Sequence, residues 1–78
     1  MKENYREKFR VLGLKIAYYR KVKGMTQEQL AEAIGRSVSF VSQIESNNSS
    51  LIKGVSLETI FAISDKLDIP ASRLFEDV

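Results

Sequence analysis

The chain has 78 residues with 12 Lys and Arg against 10 Asp and Glu, a single proline, and neither cysteine nor histidine. That length holds one domain, residues 1–78, and the missing cysteine and histidine exclude disulfide staples and thiolate or imidazole metal sites, so a compact apolar core must stabilise it. A hydrophobic content of 44%, no apolar run near the ~18 residues of a membrane span, and a charged start, Met1-Lys-Glu-Asn-Tyr-Arg-Glu-Lys8, point to a globular cytoplasmic protein without membrane contact.

From Tyr5 to Lys23 the pattern is helical: Tyr5, Phe9, Leu12, Ile16 and Tyr19 recur at steps of four and three along one face. A second apolar stripe, Val11, Leu14, Tyr18 and Val22, lies about 135° away on the same helix. It is either a second buried side, wedged between neighbours, or a surface for a partner or a second protomer. Gly24 stops this helix, and Thr26-Gln-Glu-Gln29 forms a capping box that opens the next, with Leu30, Ala31 and Ile34 as its buried face. Gly35 ends this second helix and Arg36 lies in the turn. Ser37 caps a third helix running to about Glu45, with Phe40, Val41 and Ile44 inward and Val38, Ser39, Ser42 and Gln43 on the other side or its flank. Residues Ser46 to Val55 form the only long polar, turn-rich stretch and read as a loop. Ser56 caps a fourth helix carrying Leu57, Ile60, Phe61, Ile63 and Leu67; Pro70 punctuates, and Ala71 to about Glu76 reads as a fifth helix burying Leu74 and Phe75. The expected fold class is therefore all-α, with five helices.

Charge is unevenly distributed. Residues 1–24 hold eight bases against two acids, a net +6, and residues 25–78 hold four bases against eight acids, a net −4. One end suits phosphates, although a solvated helix face produces the same pattern.

Two short helices joined by a glycine turn, Gly35-Arg36, make a helix-turn-helix, whose second helix fits the major groove. The outer face of that helix, Val38, Ser39, Ser42 and Gln43, carries no charge, whereas a merely solvated face normally carries Lys and Glu. Glutamine bonds adenine bidentately, serine donates or accepts, and valine touches a thymine methyl.

The stretch Leu12-Gly-Leu-Lys-Ile-Ala-Tyr-Tyr-Arg-Lys-Val-Lys-Gly-Met-Thr-Gln-Glu-Gln-Leu-Ala-Glu-Ala-Ile-Gly35, then Ser37-Val-Ser-Phe-Val-Ser-Gln-Ile-Glu45 and Ser56-Leu-Glu-Thr-Ile60, resembles the Xre/Cro/C1 family of helix-turn-helix regulators. This family includes phage repressors, restriction–modification controller proteins and SinR-like repressors, and the likeness spans roughly residues 9–77. The resemblance implies a lambda-repressor-like fold and roles by position. Val38, Ser39 and Gln43 match base-reading positions, with Ser42 adjoining. Gln27 matches a contact to the DNA backbone that orients the reading helix. Arg20 and Glu45 match an ion pair between the first and third helices, with Arg20 partly at the phosphates and Glu45 structural. Ser37 and Arg36, and Asn47, Asn48, Ser49 and Lys53 of the loop, are further candidates for phosphate contact. Two departures stand out: the loop is about four residues longer than the family's link and lacks its Asn-Pro-Ser, and Arg36 replaces a common apolar residue.

The expected function is sequence-specific binding of double-stranded DNA by a transcriptional regulator, a repressor or a restriction–modification controller-like protein. It would act as a homodimer on a palindromic operator and be nucleoid-associated when bound. Leu67, Ile69, Leu74 and Phe75 are the expected dimer interface. The alternatives are an antitoxin or an adaptor-type module whose main task is a second protein. No enzymatic activity, cofactor, metal or small-molecule substrate is expected, since the chain has no histidine, no cysteine and no phosphate-cradling glycine loop.

Overall fold

In a computed structural model, residues 4–46 and 54–76 are described. They form four α-helices, α1 (Asn4–Val22), α2 (Gln27–Ala33), α3 (Val38–Glu45) and α4 (Leu57–Lys66), followed by a 3-10 helix, Ala71–Phe75. Among the described residues there is no strand.

Each boundary has a local cause. The hydroxyls of Thr26, Ser37 and Ser56 accept the backbone N–H groups of Gln29, Phe40 and Thr59, satisfying donors that the first turn leaves orphaned. At Thr26 the capping box is complete, with the backbone N–H of Thr26 donating to Gln29 Oε1 at 2.8 Å. Helices α1, α2 and α4 end in the same way. The residue after the cap turns left-handed, and two amides fold back onto the last carbonyls, as in Met25 N–H to the Arg20 carbonyl and Arg36 N–H to the Ala31 carbonyl. Gly24 (φ 79°) and Gly35 (φ 72°) take this conformation without a side-chain penalty. Asp68 (φ 59°) does so after α4 with a side chain, and that side chain pairs with Lys23 just beyond the end of α1.

A Cβ on Gly35 would meet no atom within 4 Å, so any cost of Gly35→Ala is purely conformational. It is expected to lower stability by about 1–2 kcal/mol, the penalty of a left-handed alanine, with no loss of core packing. Urea unfolding at an unchanged m-value checks this.

The fifth helix expected at residues 71–76 is not an α-helix. Pro70 sits at its N-cap without a side-chain hydrogen bond, and five residues cannot complete more than about one α-turn, so the segment closes as a 3-10 helix with Arg73 N–H on the Pro70 carbonyl at 3.0 Å.

The core gathers Leu12 and Ile16 from α1, Leu30 and Ala31 from α2, Val41 and Ile44 from α3, Ile60 and Ile63 from α4, Leu67 from its C-cap, and Leu74 from the 3-10 helix. Phe40 and Tyr19 pack partly buried against it. Two expectations are corrected here. Phe75 is 57% exposed rather than buried, because the single 3-10 turn points Leu74 inward and its neighbour outward. Leu67 and Leu74, expected at a dimer interface, are almost fully inside the chain's own core and present no side chain to a partner, whereas Ile69 is half-buried. The second stripe of α1 is not wedged between neighbours: Leu14, Tyr18 and Val22 are exposed and Val11 is half-buried. Helix α1 packs on α3 and on the 3-10 helix from its other side, and α2 packs most closely on α3.

Candidate nucleic-acid interface

The turn between α2 and α3 fixes the site. Gly35 reverses the chain, Ser37 caps α3, and Val41 and Ile44 anchor that helix in the core. Its opposite side is therefore committed to solvent. Val38, Ser39 and Gln43 are exposed, and Ser42 is half-buried at the margin. Gln43 Nε2 donates to Ser39 Oγ at 3.0 Å, one turn back along the helix, so the two polar groups of this face hold each other in place.

Behind this face lies a buried polar cluster. Arg20 of α1 binds Glu45 of α3 through two parallel bonds, Nε to Oε2 at 2.7 Å and Nη2 to Oε1 at 2.9 Å, while Nη1 donates to the Met25 carbonyl at 2.7 Å. Gln27 Nε2 donates to the same Glu45 Oε1 at 3.0 Å. Both charged side chains are below a tenth exposed. The hydrogen bonds that Arg20 donates to Glu45 raise the Arg20 pKa above its ordinary value, against the opposing effect of burial, so the guanidinium stays charged. Among the described residues no buried side-chain polar atom lacks a partner. Glu45 thus ties the first turn of α2, the end of α1 and the last turn of α3 together. It faces the core side of the interface, and Gln27, half-buried, keeps one amide hydrogen free of this bond.

Arg36 is neither extended nor simply solvated. Its guanidinium stacks over the Phe40 ring at 4.3 Å from the centroid, and Nη2 donates to Thr59 Oγ1 at 3.3 Å. The turn is thereby clasped to α4, a contact between distant segments that local pattern does not disclose. Thr59 itself is buried and shares a hydrogen bond with the Ser56 hydroxyl. Ser37 uses its hydroxyl oxygen to accept the Phe40 N–H at 3.1 Å, leaving its own hydrogen available to donate. Asn47, Asn48, Ser49 and Lys53 lie outside the described residues.

A family model described as helix-turn-helix matches residues 16–74, which contain the whole of this arrangement. The chain belongs to the Xre/Cro/C1-type helix-turn-helix family. The crystal structure of the restriction-modification controller protein C.AhdI from Aeromonas hydrophila is similar at 29% identity and a TM-score of 0.80, over 94% of this chain and 100% of that one. No curated protein matches the chain. Membership of the Xre/Cro/C1-type family and the exposed α3 together describe a DNA-binding transcriptional regulator. Among the described residues, no helix is long and apolar enough to cross a membrane, and no cluster of three or more metal-ligating side chains occurs.

Proposed function

We propose that this regulator binds a two-fold symmetric operator as a homodimer, laying α3 of each protomer in the major groove, and that it represses by covering a promoter. The observation that carries the reading is the face of α3: exposed, uncharged, and held on a helix whose other side is locked into the core. Val38, Ser39, Ser42 and Gln43 read bases. Arg36, Ser37 and Gln27 meet phosphates at the helix ends, and Asn47, Asn48 and Lys53 supply further phosphate contacts, while Arg20 acts mainly by holding Glu45. The similarity to a restriction-modification controller supports a controller-like role.

Support for the dimer comes from apolar surface beside the expected interface. Leu57 and Phe61 share one face of α4 at 68% and 57% exposure, and the 3-10 helix packed on α4 exposes Phe75. A chain this small gains affinity most directly by doubling its contacts across a two-fold axis. Phe75, Ile69, Leu57 and Phe61 form the proposed interface, with Leu67 and Leu74 beneath it.

Selection of bound fragments from a random DNA pool is expected to return inverted repeats with half-site centres about 34 Å apart, one helical turn. Leu57→Glu with Phe61→Glu is expected to give a monomer by sedimentation, with little loss of stability because both side chains are exposed, and to weaken operator binding. Selection of a single asymmetric site, by a protein that sediments as a monomer, would contradict the proposal.

A further inference from the structure

Helix α1 presses Leu12, Ile16 and Arg20 against the body of the protein and leaves the opposite side bare. Leu14, Tyr18 and Val22 follow one another at single-turn spacing there, 47%, 60% and 67% exposed. An open depression of about 450 Å³ lies on this side between side chains of α1 itself, lined by Arg10, Val11, Leu14, Lys15, Tyr18 and Tyr19. The two tyrosine rings meet edge to face at 5.0 Å, which braces one end of it. Nothing in the DNA reading requires such a surface.

We propose that this surface docks an acidic amphipathic helix of a partner protein. At 100° per residue, Lys8 and Lys15 border the apolar stripe on one side and Lys21 on the other, where Arg10 also lies but is engaged by Glu7. The only acid in α1 is Glu7, and Arg10 holds it in a two-bond ion pair. An apolar floor in a basic frame suits a helix with apolar residues at i, i+3, i+4 and i+7 and carboxylates on their flanks. A second copy of α1 does not fit, because two such frames would place like charges face to face. Tyr18 and Arg20, two residues apart, point to nearly opposite sides of α1, so a partner on this surface leaves α3 and its DNA face free.

The test is fluorescence anisotropy of a labelled synthetic peptide of about four helical turns, with leucines at that spacing and glutamate flanks, titrated with the full chain. Binding is expected with the glutamate peptide and not with its lysine-flanked counterpart. It should weaken about tenfold in Leu14→Gln and again in Tyr18→Gln, and fall with Lys15→Glu and with added salt. Leu14 is half-exposed, so Leu14→Gln is expected to melt as the parent does and to keep its operator binding, which separates failure here from failure of the regulator reading. Equal binding of both peptides, or insensitivity to Leu14→Gln, overturns the proposal. Tighter binding to phosphatidylcholine–phosphatidylserine vesicles that Leu14→Gln abolishes, or self-association that the same substitution abolishes, overturns it as well.

Discussion

Glu45→Ala is expected to remove about 3–5 kcal/mol of folding stability. Three donors converge on this carboxylate: two from the Arg20 guanidinium at 2.7 and 2.9 Å and one from Gln27 at 3.0 Å. Deleting it leaves a positive charge that is less than a tenth exposed with only the Met25 carbonyl as partner. A small domain has about 5–15 kcal/mol in all, so this variant sits close to unfolding. DNA binding would then fall in parallel with the folded fraction, and an assay at a single temperature would misassign Glu45 as a contact residue. Urea denaturation separates the two: the midpoint drops steeply, while binding per folded molecule is largely kept. Replacing both partners, Arg20→Met with Glu45→Leu, is expected to recover part of the loss, because the pair's own desolvation cost disappears with it. A midpoint shift equivalent to less than about 1 kcal/mol for Glu45→Ala would mean that water reaches Arg20 and that the cluster does not hold α1, α2 and α3 together.

The parts legible in the sequence are those whose causes are local. Hydroxyls at Thr26, Ser37 and Ser56 and glycines at 24 and 35 act within a turn of their own position, and their effects follow from residue type and spacing. Asp68 escapes the same reading because it makes a glycine's turn without being glycine, helped by a lysine 45 residues away. Periodicity also separates apolar from polar faces without saying which apolar face has a neighbour. Leu74 and Phe75 are adjacent and both apolar, yet the 3-10 geometry buries one at 1% and exposes the other at 57%. The two stripes of α1 likewise look alike in sequence, and only the packing of α3 and the 3-10 helix on one side decides between them. Arg36 meets Phe40 and Thr59 through tertiary structure alone. The exposed face of α3 was accessible from sequence except at its edge, where Ser42 tilts toward the protein.

Gln43→Ala is expected to cost about 1–3 kcal/mol per half-site on the preferred DNA, and so about 2–6 kcal/mol for a symmetric dimer that uses the residue twice. The amide is already oriented: its Nε2 bonds Ser39 Oγ at 3.0 Å on an exposed face, so little rotamer freedom remains to be lost when a base edge replaces solvent. Ser39→Ala removes that brace as well as its own hydroxyl, and is expected to give a smaller loss of the same kind. Neither side chain carries charge, so non-specific binding and its dependence on salt should be unchanged, since no phosphate neutralisation is lost. The informative measurement is therefore a ratio, preferred site against random duplex at one salt concentration. Base reading lowers that ratio and relaxes one position in each half-site. A general weakening on every sequence would instead place Gln43 at the backbone, and the discrimination would have to come from Val38, Ser39 and the shape of the DNA. The number of half-sites affected separates dimer from monomer in the same titration, because only a two-fold complex loses specificity at two symmetric positions when a single residue type is changed.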